Sequence, residues 1–247
     1  VSWTPSARKK RKRIEDDISG EFMNKSQIQL IELMLNSNVL CFGNFITKSG
    51  RESPYFINTG NYSTGEQIST LGTLYADKIM SSIGNNFDGV FGPAYKGIPL
   101  AITTVISLSR DYSVEKYYCF NRKEIKDHGE GGGLVGKTPG SGERIIIVED
   151  VTTAGKSIHE TMEIFHKMNG IKISDLFISI NRQEVGMNGL LAQDEIKEKY
   201  DITTHSIVSI NETVDYIYNN EINGIKYIDD KMMIKIEEYQ KKYCINN

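Results

Sequence analysis

From Met23 the apolar positions fall at helical spacing, with Ile28, Leu30, Ile31, Leu33, Met34 and Leu35 making one broad face that stops at Asn36-Ser-Asn38. Within Phe42 to Asn58, two short apolar runs flank the polar turn Lys48-Ser-Gly-Arg51, which predicts a hairpin or a strand–loop–strand. Helical spacing returns over Gly65 to Ser82, Ile98 to Leu108 and Ile158 to Met168. Between these lie runs with strand character: Phe87 to Gly92, Glu115 to Phe120, Ile145 to Val148 and Ser174 to Ile180. A helix from Leu190, a short strand from Thr204 to Val208 and a last helix through Asp230 to Tyr243 complete the series. Strand–helix alternation of this kind predicts an α/β chain built on a doubly wound parallel sheet.

The run Ile145-Ile-Ile-Val148 has no polar break, as expected of a parallel strand buried on both faces. It leads straight into Glu149 and Asp150, which the pattern places at an exposed C-terminal strand end. Thr152-Thr-Ala-Gly-Lys-Ser157 then opens a helix, so backbone N–H groups and a helix N-terminus face whatever the acids face. Carboxylates suit sugar hydroxyls and such a loop suits a phosphate. A Walker A loop does not fit, because the glycine it needs five residues before Gly155 is here Asp150. An acidic pair after a strand also serves as a plain helix cap. The full string Glu149 to Ser157 resembles the phosphoribosyl-diphosphate (PRPP) motif of the type I phosphoribosyltransferases.

Other turns carry chemistry at the same predicted edge. Pro93-Ala-Tyr-Lys-Gly97 follows a core strand and presents Tyr95 and Lys96, with glycines that let a ligand approach the backbone. After the strand ending at Phe120, a short segment holds Arg122, Lys123, Lys126 and His128, followed by the glycine-rich Glu130 to Gly142. A solvated charged face is the bland reading. A long, glycine-rich loop beside clustered cations reads instead as a mobile lid for an anionic group. Gly131 to Gly136 spells GxGxxG, but neither a preceding strand nor a following helix supports a dinucleotide fingerprint.

Composition narrows the classes. The 247 residues suffice for one sizeable core, and a net charge of −3 does not suggest a nucleic-acid protein. Cys41, Cys119 and Cys244 are widely spaced, which fits a reducing cytoplasm better than a disulfide framework or a zinc knuckle. No apolar run reaches the roughly 20 residues of a membrane helix. His159 and His166 lack the spacing of a zincin and read as structural. Residues 1 to 22 carry the basic block Arg8 to Arg13 with little to bury, so they are expected to be a disordered tail ahead of a domain spanning 23 to 247. Gly20-Glu-Phe22 before Met23 resembles a cloning junction, which points to a vector-derived tail; a nuclear address or a nucleic-acid arm are the alternatives.

Taken in order from Met23, these strings resemble the orotate phosphoribosyltransferase family. The resemblance implies transfer of the phosphoribosyl group from PRPP to orotate, Mg²⁺ as cofactor, a small hood over the sheet edge and a homodimer that shares its lid loops. It assigns PRPP contacts to Lys48, Tyr95, Lys96, Arg122, Lys123, Lys126, His128, Glu149, Asp150 and the loop Val151, Thr152, Thr153, Ala154, Gly155, Lys156 and Ser157. Orotate contacts fall on Lys48, Phe56, Ile57, Thr153 and Arg182, whose planar fork suits a carboxylate. Catalytic weight falls on Lys123, Lys126, His128 and Asp150, with no direct metal ligand. Ile57 departs from the family, which commonly has a second aromatic there. Two alternatives stay open: another nucleobase as substrate, or a non-catalytic PRPP sensor of the same fold that binds nucleic acid.

Overall fold

The structure, a computed structural model, describes residues 23–47, 50–123, 133–151, 156–186 and 189–244. Helix α1 (Lys25–Asn36) starts in a capping box: Asn24 Oδ1 accepts from the Gln27 N–H, and the Gln27 side chain accepts from the Asn24 N–H. It buries Leu30, Ile31, Met34 and Leu35. The antiparallel hairpin β1 (Leu40–Ile46) and β2 (Glu52–Ile57) follows as predicted, with the turn closed by the Thr47 N–H donating to the Arg51 carbonyl. After it come α2 (Gly65–Ser82), β3 (Gly89–Phe91), α3 (Gly97–Tyr112), β4 (Tyr117–Asn121), β5 (Leu134–Gly136) and β6 (Arg144–Val151). The chain continues through α4 (Lys156–His166), β7 (Lys172–Asn181), α5 (Ala192–Tyr200), β8 (Thr203–Ser209), α6 (Ile210–Asn219) and α7 (Asp230–Tyr243).

The main sheet has the order β5-β4-β3-β6-β7-β8. All pairings are parallel except β4 with the edge strand β5. Alternate side chains of the central strands enter two separate cores, as the period of two requires. Val90, Ile146, Val148, Phe177 and Val208 face a layer holding α1, α2, α3 and α6. Phe91, Ile145, Ile147, Leu176 and Ile178 face α4 through Ile158, Met162 and Phe165, and α5 through Ile196. Each fully buried aliphatic or aromatic chain contributes about 1.5–3 kcal/mol, so the run Ile145 to Val148 anchors both layers. The sheet is therefore doubly wound, with the crossover after β3 on one face and that after β6 on the other, and a crevice opens between the ends of these adjacent strands.

The hairpin and α7 form the hood. Tyr55 of β2 meets Tyr239 of α7 edge-on at 5.5 Å, and both belong to the same buried cluster as the sheet, so the hood is an extension of one core.

Several boundaries differ from the pattern. Strand β6 continues through both acids to Val151, because β7 pairs alongside it as far as Val151 with Ile180. Leu134–Gly136 is a strand within the glycine-rich stretch expected to be loop, since its backbone pairs with Cys119, Phe120 and Asn121 of β4. Helix α6 was absent from the pattern; the Ser209–Glu212 capping box starts it directly at the end of β8. His159 accepts or donates at 2.7 Å to the Tyr200 hydroxyl, a packing role of the kind expected. Among the described residues, no helix is long and apolar enough to cross a membrane. The tail, residues 1–22, lies outside the described residues.

Helices α2 and α3 cross at Gly72. A Cβ there would lie 2.5 Å from the Thr103 carbonyl oxygen and 2.4 Å from its Oγ1, while Thr103 Oγ1 donates to the Ile68 carbonyl at 2.9 Å. Alanine would gain about 0.8–1 kcal/mol of helix propensity, but forcing two helix backbones apart costs about 1–3 kcal/mol. Gly72→Ala is thus expected to lower Tm by about 2–4 °C in thermal denaturation. A rise in Tm would contradict so close a crossing.

Candidate active site

Three segments distant in sequence meet at the crevice. Strand β6 supplies Glu149 and Asp150, the β3–α3 turn supplies Tyr95 and Lys96, and the short 3-10 turn Thr59–Asn61 after the hairpin supplies Thr59. One Asp150 carboxylate oxygen accepts from Lys96 Nζ at 3.1 Å and from the Thr59 hydroxyl. Its other oxygen accepts from the Val151 N–H at 2.7 Å. These groups rim a cavity of about 230 Å³ whose walls include Tyr62, Ile68, Leu71, Tyr75, Pro99 and Leu100.

The acids' backbone is fixed from both flanks. The Tyr75 hydroxyl donates to the Glu149 carbonyl at 2.6 Å, and the Ser179 hydroxyl donates to the Asp150 carbonyl at 2.7 Å. Glu149 does not lie at an exposed strand end as the sequence suggested: it is only 6% exposed, because β6 runs on past it between its neighbours. Burial, followed by the Asp150 charge beside it, raises its pKa from 4.5 to about 8. Burial and the Asp150 charge likewise push the Tyr62 and Tyr75 hydroxyls up.

The basic side of the crevice is arranged around Tyr95. Lys123 Nζ stands 5.2 Å from the centre of the Tyr95 ring, a cation–π contact, and the Ala94 N–H donates to Asn121 Oδ1 at 2.8 Å. Arg122 is exposed, and its N–H donates to the Gly133 carbonyl at 2.9 Å. Ser157 lies at the start of α4, where its side chain helps hold the Glu149 carboxylate. Val151 is half-buried at the end of β6.

Arg182 and Phe56 lie elsewhere. Phe56 is 40% exposed and stacks on Phe45, with Ile57 beside it at the end of β2. Arg182 is buried just past β7, with its guanidinium 5.3 Å from the Tyr55 ring centre and its Nη2 2.5 Å from Glu184 Oε1. Burial opposes its charge, but Glu184 outweighs that and raises the pKa further. Among the described residues, no hydrogen bond or ring contact joins Arg182 or Phe56 to Asp150. Lys48, Lys126, His128, Thr152, Thr153, Ala154, Gly155 and the Lys156 side chain fall outside the described residues.

Thr59, Tyr62, Tyr75 and Ser179 were not singled out from sequence. Tyr75 and Ser179 look like ordinary core positions of a helix and a strand, and only the tertiary fold aims their hydroxyls at the acids' backbone. The Asn58-Thr-Gly60 turn was the one available signal.

A strand ending in an acidic pair, opposed across a sheet crevice by a Tyr-Lys turn, defines the class, and residues 58–178 match the phosphoribosyl transferase domain. Over 223 residues the chain is 49% identical to the orotate phosphoribosyltransferase of Clostridium acetobutylicum, covering 90% of this chain and 100% of that one. It is 47% identical over 195 residues to the same enzyme of Cronobacter sakazakii, covering 79% of this chain and 90% of that one. The crystal structure of the Francisella tularensis orotate phosphoribosyltransferase superposes with a TM-score of 0.76 at 33% identity, covering 88% of this chain and 100% of that one. The chain belongs to the orotate phosphoribosyltransferase family.

The folded state keeps the Glu149 proton between the ordinary pKa of 4.5 and about 8, where the unfolded chain has lost it. Stability from this group is therefore full below 4.5 and is lost as pH rises through about 8. Glu149→Gln removes that loss, so its Tm relative to the parent should climb between about pH 5 and about pH 9. A difference that stays flat over this range would mean that Glu149 titrates as an exposed carboxylate.

Proposed function

We propose that this chain transfers the 5-phosphoribosyl group from PRPP to orotate, giving orotidine 5′-monophosphate and pyrophosphate, a step of pyrimidine synthesis. The observation that carries the site assignment is the Asp150 carboxylate held at the crevice between Lys96 and Thr59. Departure of pyrophosphate from C1 leaves positive charge on the ribose and negative charge on the leaving group, so placement and electrostatics supply most of the acceleration.

In this reading Asp150 accepts from the ribose hydroxyls, while the largely protonated Glu149 can donate to one of them. The loop Val151 to Ser157, at the N-terminus of α4, holds the 5′-phosphate. Lys96, Arg122 and Lys123, the last standing over the Tyr95 ring, would meet the departing pyrophosphate, joined by Lys126 and His128 of the lid. Lys48, Thr153, Arg182, Phe56 and Ile57 place the orotate ring over C1.

Mg²⁺ is read as carried mainly by PRPP oxygens, and Asp150, at the cavity rim, is the carboxylate that would help orient it. When bound, the ion would neutralise charge on the departing diphosphate. We place the enzyme in a reducing cytoplasm, where Cys41, Cys119 and Cys244 stay free thiols.

A screen of orotate, uracil and the purine bases with PRPP and Mg²⁺, followed by pyrophosphate release, tests the reaction: only orotate is expected to turn over efficiently. Turnover of another base, or of none, would overturn the assignment. The lid is read as crossing a homodimer interface. After verified subunit exchange, mixing an inactive Lys126→Ala variant with an inactive Asp150→Asn variant should restore activity, because one site per heterodimer combines intact halves. Absence of recovery would mean that each subunit closes its own site.

A further inference from the structure

Glu184 and Tyr239 lie outside the cavity, yet they hold the one arginine assigned to the substrate carboxylate. Glu184 Oε1 accepts from Arg182 Nε at 3.0 Å, from Arg182 Nη2 at 2.5 Å and from the Tyr239 hydroxyl at 2.8 Å. Between Arg182 and Glu184, Gln183 has φ of 54°, a left-handed conformation that costs a non-glycine residue about 1–2 kcal/mol. The turn is pinned in that state: the Gln183 N–H donates to Asn181 Oδ1 at 2.9 Å, and Gln183 Oε1 accepts from the Asn211 N–H at 3.3 Å. The end of α7 pairs with the same turn, where the Val185 N–H donates to the Tyr243 carbonyl at 2.8 Å. Tyr55 closes the cage, with its ring under the guanidinium and its edge against Tyr239.

Stability is a poor explanation for this arrangement. A buried ion pair is often no better than apolar residues of the same size, and here a left-handed residue adds to the cost. What the cage does accomplish is to fix a planar cation in rotation. Glu184 occupies the Nε–Nη2 edge, and Nη1 has no hydrogen-bond partner among the described residues. We infer that Glu184, held by Tyr239 of the C-terminal helix, is a positioning residue that sets the plane of Arg182 so that its Nη1 side meets the carboxylate of the base substrate. This rests on the reading of Arg182 as the orotate-carboxylate ligand. Because Glu184 partly cancels the charge of Arg182, its contribution is orientation, and an uncharged acceptor of the same shape should replace it.

Steady-state KM for orotate and for PRPP, measured on Glu184→Ala, Glu184→Gln, Tyr239→Phe and Arg182→Ala, tests the inference. Glu184→Ala should raise the orotate KM about 10-fold or more, as misplacement of a binding group does, and leave the PRPP KM within about twofold. Glu184→Gln should recover most of that loss, since its amide oxygen still accepts from Nε. Tyr239→Phe should give a smaller rise with the same selectivity, and it decides the matter if Glu184→Ala fails to fold. Equal losses for both substrates, or an unchanged orotate KM in Tyr239→Phe and Glu184→Ala, would overturn the positioning role. The Arg182→Ala arm separates the two levels. If it leaves orotate untouched, the carboxylate assignment itself is wrong; if it alone weakens orotate, only the positioning inference falls.

Discussion

The contact of the Asp150 carboxylate with Lys96 and Thr59 is where the hairpin's exit, the first crossover and the central strand are joined. Its value for stability is small. Lys96 is 54% exposed, and a pair so open to water contributes at most about 1 kcal/mol. The contact instead keeps a carboxylate and a cation side by side at the mouth of a mostly apolar cavity, where the proposed substrate would bring hydroxyls to the one and phosphates to the other. Everything else in the fold can be seen as support for that placement.

The support is layered. Ile145 to Val148 lock β6 between β3 and β7, with side chains in both cores, so the strand cannot slide or rotate. The hydroxyls of Tyr75 and Ser179, from a helix and the neighbouring strand, then fix the two peptide carbonyls at Glu149 and Asp150. Burial of Glu149, with the Asp150 carboxylate beside it, raises its pKa and so favours its protonated form. The hood adds a second constellation about Arg182, built by β2 and α7 on the same core but joined to Asp150 by no hydrogen bond or ring contact among the described residues.

Much of this was legible in the sequence. Long amphipathic periods such as Gly65 to Ser82 and Asp230 to Tyr243 gave helix limits that the structure reproduces, because caps and apolar faces agree there. The hairpin was readable from its polar turn. Where tertiary pairing decides, the pattern fell short: β5 forms in glycine-rich sequence only because β4 offers an edge, and β6 runs through two acids only because β7 accompanies it. Within the site, Tyr95, Lys96, Glu149 and Asp150 announced themselves by residue type at strand ends. Thr59, Tyr75, Ser179, Glu184 and Tyr239 did not, since their hydroxyl or carboxylate chemistry depends on what the fold sets opposite them.

Calorimetric titration of PRPP with Mg²⁺ into the parent protein and into Asp150→Asn tests the central claim directly. Asparagine keeps the size and can still accept from Thr59, so the fold and its Tm should be retained. The loss of the fixed charge should weaken PRPP by about 10-fold or more, the scale of a charge-assisted hydrogen bond. Equal PRPP affinity for the two folded proteins would contradict the claim that this carboxylate is the anchor of the site.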